Sequence, residues 1–195
     1  MILTELLWAF SQLPSDYVVL DTETTGLPDE FGVTDLVSVG LVEVRDCRVS
    51  NSSEFLIKPT REISDEALAV HGITQEKAQN FDSFNGVAES ISTTLRDNLV
   101  VIHNASFDWP ILIEHYNRYN LDVPKIRGVF CSQKSAFPWA LANKIKCSER
   151  GPSLDTLSAL FKVKSLREER GAHGAEIDAL QTVSVVEHLR SLSSA

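Results

Sequence analysis

Tyr17-Val18-Val19-Leu20-Asp21-Thr22-Glu23-Thr24-Thr25-Gly26 opens with an unbroken apolar run of strand length, rich in β-branched residues, and closes on two carboxylates and a glycine. Side chains of a strand alternate faces, so Asp21 and Glu23 project to one side and Thr22 to the other. Two like charges at the end of a buried strand repel one another unless a proton or a cation intervenes. The first basic residue of the chain is Arg45, so the neighbouring sequence offers no evident counter-charge. A divalent metal held by hard oxygens fits such a pair. Taken alone, the stretch also reads as an acidic pair in a solvated loop after a strand.

The 195 residues suffice for one domain, expected over 1–195, and a composition of 43% hydrophobic and 23% charged residues is that of an ordinary globular protein. No apolar run reaches the length of a membrane span, so no membrane partner is expected. Within residues 1–14, Leu3, Leu6, Leu7, Phe10 and Leu13 recur at helical spacing, which predicts an amphipathic helix docked on the core and ended by Pro14. With no basic residue before it, this segment does not read as a secretory signal. Cys47, Cys131 and Cys147 are too few and too scattered for a disulfide framework or a zinc cage. A reducing, cytoplasmic setting is the expectation.

The formal net charge of -9 argues at first against a nucleic-acid partner, but the charge is unevenly spread. Between Arg118 and Arg170 there are 11 Lys and Arg against 5 Asp and Glu, whereas the remainder carries 7 against 22. A basic half and an acidic half allow one face to meet phosphates, although a chance excess on solvated surface gives the same count.

After the opening strand, 27–32 reads as a loop, and 36–44 and 48–57 as two strands joined at Arg45-Asp46-Cys47, an antiparallel meander. Ser64-Asp65-Glu66 and Thr74-Gln75-Glu76 carry helix-start signals on either side of the turn His71-Gly72-Ile73-Thr74. Phe84, Val87, Ala88, Ile91 and Leu95 fall at helical spacing. A strand is expected at 99–103, a helix to about 119, a short strand around 128–131 and a helix over 132–142. Two further helices are expected, from 152–155 to 161 and from about 174 to 191. Helix, strand, helix order implies parallel pairing by crossover, so the whole predicts a mixed α/β sheet with helices on both faces.

Two more acids stand out. Asp108 follows the strand at 99–103, in the first turn of the next helix, where Asn104 or Ser106 can cap and an acid complements the helix dipole. Pro110, two residues later, strains that helix if it begins at Asn104 and strains it less from Ser106. Asp178 lies within about 20° of Val185 and Leu189 on a helix, on the apolar stripe, where a carboxylate is costly unless paired or metal-bound. Glu176 is rotated away and reads as solvated. His173 is about 140° from Asp178 if both are helical, so the two serve one site only if His173 sits in the loop before the helix, freed by Gly171 and Gly174. A histidine so placed suits a general base, its pKa lying near neutrality. His103, His115 and His188 read as surface or core residues.

Asp21-Thr22-Glu23-Thr24-Thr25-Gly26, Asn104-Ala105-Ser106-Phe107-Asp108 and His173-Gly174-Ala175-Glu176-Ile177-Asp178-Ala179 resemble, in order, the three motifs of the DEDDh or DnaQ-like 3′→5′ exonucleases. His71-Gly72-Ile73-Thr74 is similar to a substrate-loop element of that family. The resemblance implies a ribonuclease H-like fold and two Mg²⁺ or Mn²⁺ ions. Carried across, Asp21 would bridge both ions, Glu23 and Asp178 would complete the first site, Asp108 would serve the second, and His173 would accept the proton of the attacking water. Two ions about 3.5–4 Å apart suit in-line displacement at a phosphodiester. Thr24, Thr25, Gly26, Leu27, the turn bearing His71 and Ile73, Asn104 and Phe107 would hold the terminal nucleotide, with Leu27 or Phe107 against a base or else in the core.

The motif at Asp21 is more similar to DNA-directed members than to RNA-trimming ones, so the expected activity is 3′→5′ degradation of single-stranded DNA to nucleoside 5′-monophosphates. The expected context is proofreading or repair with a separate polymerase or repair protein. An exoribonuclease of the same fold and a non-catalytic nucleic-acid or polymerase-binding module are the alternatives.

Overall fold

The computed structural model describes residues 3–30, 32–163 and 174–193. Its centre is a five-stranded sheet in the order β3-β2-β1-β4-β5, with β1 at Tyr17–Thr24, β2 at Leu36–Arg45, β3 at Arg48–Leu56, β4 at Leu99–Ile102 and β5 at Gly128–Cys131. β1 runs antiparallel to β2 and parallel to β4, and β5 is parallel to β4. This is the mixed α/β sheet that the order of elements predicts. The β2–β3 hairpin turns on Asp46 and Cys47, both at positive φ (48° and 59°), as a two-residue connection matching strand twist requires.

The continuous apolar run in β1 follows from its central place. Tyr17, Val18, Val19 and Leu20 are all fully buried because both faces of the strand are covered. Tyr17 and Val19, with Val42, Val44 and Val101, pack under α6 (Ser132–Ala142), α7 (Leu154–Phe161) and α8 (Ala175–Ser193). Val18 and Leu20, with Val39, Val100 and Ile102, pack under α4 (Phe84–Leu95) and α5 (Ala105–Arg118). Burial of each such side chain contributes about 1.5–3 kcal/mol, so the two cores fix which face each residue of β1 presents.

The N-terminal segment is a 3₁₀ turn, Leu3–Leu7, followed by the short helix α1, Trp8–Ser11, in place of one helix over 1–14. α2 (Asp65–His71) starts on Ser64, whose hydroxyl accepts from Ala67 N–H, and stops at Gly72 in the left-handed region (φ 68°). α3 (Gln75–Ala78) follows at once. α5 begins at Ala105 behind Asn104 (φ 71°), and neither Asn104 nor Ser106 caps it: Ser106 Oγ donates to Asn104 Oδ1 instead, at 2.9 Å. Among the described residues no helix is long and apolar enough to cross a membrane.

Candidate active site

The site forms where β1 runs past the end of its neighbour. β4 pairs with β1 only as far as Leu20↔Ile102, so the next amide on that edge, Thr22 N–H, has no strand carbonyl to meet. Asp108, in the first turn of α5, takes the place of the missing strand. Its Oδ1 accepts from Thr22 N–H (3.1 Å) and from Thr22 Oγ1 (2.8 Å). Pro110 lies inside α5 without dislodging this buried carboxylate. Burial pushes the Asp108 carboxyl above the ordinary range and the nearby Asp178 charge adds to the rise, while the hydrogen bonds from Thr22 oppose it.

On the other face, Asp21 and Glu23 stand on the side of β1 that α8 covers, as strand alternation requires. α8 brings Asp178 to them from its first turn, where Asp178 N–H donates to Gly174 O (3.0 Å). Val185 and Leu189 are fully buried on the same helix, so the apolar stripe carries the acid inward. One oxygen from each of Asp21, Glu23 and Asp178 lies within 4.8 Å of the others. Glu23 and Asp178 are buried and Asp21 is half-buried. Three hard carboxylate donors gathered so closely fit a divalent cation such as Mg²⁺ or Mn²⁺. Asp108 is not part of that group. Glu176 is not simply solvated: it is half-buried and accepts from Ser52 Oγ at 2.6 Å. His173 lies outside the described residues.

A cleft of about 950 Å³ runs from Thr22 and Glu23 along the loop after β1 and the flank of α2. Thr24, Thr25, Gly26, Leu27, His71 and Phe107 all line it. Leu27 projects with 85% of its surface exposed, while Phe107 is half-buried between the cleft and the α4/α5 core. The two threonine hydroxyls are engaged within the loop: Thr24 Oγ1 donates to Gly26 O (2.9 Å), and Thr25 Oγ1 is 3.1 Å from Thr34 Oγ1. Their hydroxyls therefore hold the loop in shape. His71 does the same from α2, where its Nδ1 accepts from Ile73 N–H (3.0 Å) and its Nε2 lies 3.3 Å from Thr24 O. Burial lowers its pKa, in keeping with a neutral ring.

Two residues expected at the nucleotide stand elsewhere. Ile73 is buried with Val37 and Ala78 in a small core under the α2–α3 turn, because its amide serves His71 and its side chain turns inward. Asn104 does not line the cleft; its Oδ1 accepts from Ser106 Oγ at the start of α5. The cleft also holds Val33, Arg61, Glu66 and Val70, which the sequence reading missed. Arg61 is the one cation among its described lining residues; Asp29 Oδ2 holds it at 2.8 Å. Buried Asp35 anchors that corner, accepting from Thr60 and Arg61 amides and pairing with Arg118. Burial alone would raise the Asp35 carboxyl, but hydrogen bonds from Thr60 and Arg118 outweigh it and hold it at about 2.

Comparison with known proteins decides what this arrangement belongs to. The exonuclease family RNase_T matches residues 18–186, a span that holds all four acids. The chain belongs to this exonuclease family. It is 34% identical over 167 residues to DNA polymerase III subunit epsilon of Escherichia coli K12, covering 83% of this chain and 66% of that one. It is 30% identical over 176 residues to DNA polymerase III PolC-type of Thermotoga petrophila, covering 90% of this chain and 12% of that one. Exonuclease X, solved in complex with 5′ overhanging duplex DNA, superposes with a TM-score of 0.66 at 25% identity, over 92% and 93% of the two chains. The nuclease domain of 3′hExo, a DEDDh family member bound to rAMP, shares the fold (TM-score 0.68, 13% identity, 92% and 94% covered). This is therefore a DnaQ-like, DEDDh-type exonuclease domain.

Proposed function

We propose that the chain is a metal-dependent 3′→5′ exonuclease acting on single-stranded DNA and releasing nucleoside 5′-monophosphates. One observation carries this: Asp21, Glu23 and Asp178 converge to within 4.8 Å, and Glu23 of that group also lines the cleft that holds Leu27 and Phe107. Apolar contacts from Leu27 and Phe107 accept any base, which suits degradation without sequence preference.

Asp21, Glu23 and Asp178 would hold one Mg²⁺ or Mn²⁺, and Asp108 with Asp21 a second. Bound there, the ions would activate a water and offset the charge that develops on the phosphate. The chain's own residues do the rest. Thr24, Thr25 and Gly26 shape the loop that seats the terminal nucleotide, His71 braces that loop, and Leu27 and Phe107 contact the base. His173 accepts the proton of the attacking water, a role carried over from the family motif. With Arg61 the one cation among the described lining residues, metal rather than lysine neutralises the scissile phosphate. The names of the polymerase III relatives support a proofreading or repair setting beside a separate polymerase or repair protein. Three cysteines outside any disulfide suit a cytoplasmic one.

The test is digestion of 5′-labelled DNA and RNA of one sequence, with Mg²⁺, Mn²⁺ or a chelator. Metal-dependent shortening from the 3′ end, faster on DNA, is expected. Faster loss of RNA would reassign the substrate, and no shortening under either metal would leave a binding module.

A further inference from the structure

Gly40 sits directly opposite Asp21 in the β1–β2 ladder, on the face that α8 covers. A Cβ built on Gly40 would lie 2.1 Å from the carbonyl carbon of Ala175 and 2.3 Å from both Ala175 O and Glu176 N. The first peptide of α8 thus rests flat on the strand at this one residue. Its neighbour on the same face is Ser38, small and fully buried, opposite Glu23. Further back, the same face of β2 presents Val42 and Val44, which fill against α8 in the ordinary way. Passing from valines to serine and glycine, the seat narrows toward the carboxylates.

We infer that Gly40 is a positioning residue that sets the height of the first turn of α8, and so decides whether Asp178 reaches Asp21 and Glu23. The inference rests on the metal-dependent reading above and deepens it. The neighbouring atoms are backbone, so no side chain can give way to a methyl group at Gly40. Real Cβ contacts essentially never fall under 3.0 Å, so a gap of 2.1 Å must open by about 1 Å. Divalent ions bind carboxylate oxygens within narrow limits, about 2.0–2.6 Å, and a displacement of that size at one of three ligands weakens the site.

The test is Mn²⁺ binding to the metal-free protein, followed by electron paramagnetic resonance, in wild type, Gly40→Ala, Gly86→Ala and Gly40→Ala with Asp178→Glu. Gly86, where a Cβ meets nothing nearer than 3.5 Å, controls for the glycine-to-alanine change itself. Gly40→Ala is expected to keep its circular dichroism and to lose about 10–100-fold in Mn²⁺ affinity, with Gly86→Ala unchanged. Asp178→Glu, one methylene longer, should weaken binding in wild type yet recover part of it in the Gly40→Ala background, a coupling that general destabilisation does not produce. Wild-type Mn²⁺ affinity in Gly40→Ala overturns the inference. If that variant does not fold in buffer, the same titration is made in a stabilising osmolyte such as sucrose, where wild-type affinity would overturn the inference equally. A wild-type protein that binds no Mn²⁺ would instead refute the metal-dependent reading.

Discussion

Asp178 is a charged residue in the buried stripe of α8, and the position makes sense only through its company with Asp21 and Glu23. Asp178→Asn keeps the shape and removes the charge, so metal-dependent cleavage should vanish while the thermal midpoint stays close to wild type. His173→Ala, by contrast, should bind Mn²⁺ nearly as well as wild type and turn over about 10²–10⁴-fold more slowly. His103 is a buried histidine of the other kind. Its Nε2 donates to Pro152 O (3.1 Å), its Nδ1 lies 3.0 Å from Ser132 Oγ, and burial holds its pKa at about 4 against 6.5 for an unperturbed ring. The unfolded chain then takes up a proton at higher pH than the folded one, so this stability is complete above pH 6.5 and drains away between 6.5 and 4. It amounts to about 3 kcal/mol. Urea titrations at pH 7.5 and pH 4.5 should show that loss in wild type and a smaller one in His103→Gln. Asp21, Glu23 and Asp178 were legible in the sequence because strand and helix periods say which way they face, whereas Asp108 reads by position as a helix-dipole acid and stands out through the family motif alone. Ile73 and Asn104 were not legible, since their orientation is set by partners, the His71 ring and Ser106 Oγ, that no period encodes.

α5 shows what an element contributes beyond its residues. It supplies Asp108 as a substitute strand partner for Thr22, and it does so although Pro110 occupies its sixth position. Proline there cannot donate to the carbonyl four residues back, and the cost is met by the packing of Ile111, Leu112 and Tyr116 on the sheet. Pro110→Ala should therefore stabilise the protein by about 1–2 kcal/mol, the helix gain less the entropy returned to the unfolded chain, with the cleavage rate unchanged. Equilibrium unfolding beside a rate measurement checks both halves. The helix is expected to run to about 119, and it ends at Arg118. Its start was not readable, because Asn104 in the left-handed region ends the preceding turn without capping anything.

Across the whole molecule, the order β3-β2-β1-β4-β5 puts the one strand that carries two acids at the centre, with a helix-borne acid arriving on each face. The mixed sheet could be anticipated from hairpin-linked strands followed by crossovers. The cleft could not, because Arg61, Glu66 and Val70 of one stretch meet Val33 of another through side-chain packing that no period encodes. If the carboxylates bind metal in the folded state alone, Mn²⁺ at about a hundred times its Kd should add about 2.7 kcal/mol of stability, seen as a higher melting temperature that a chelator reverses. The most direct test of the central claim is digestion of 5′-labelled single-stranded DNA with Mn²⁺ by wild type and by Asp178→Asn, each shown folded by circular dichroism. The arrangement predicts a ladder shortening from the 3′ end with wild type and an intact strand with Asp178→Asn. Equal digestion by both would contradict it.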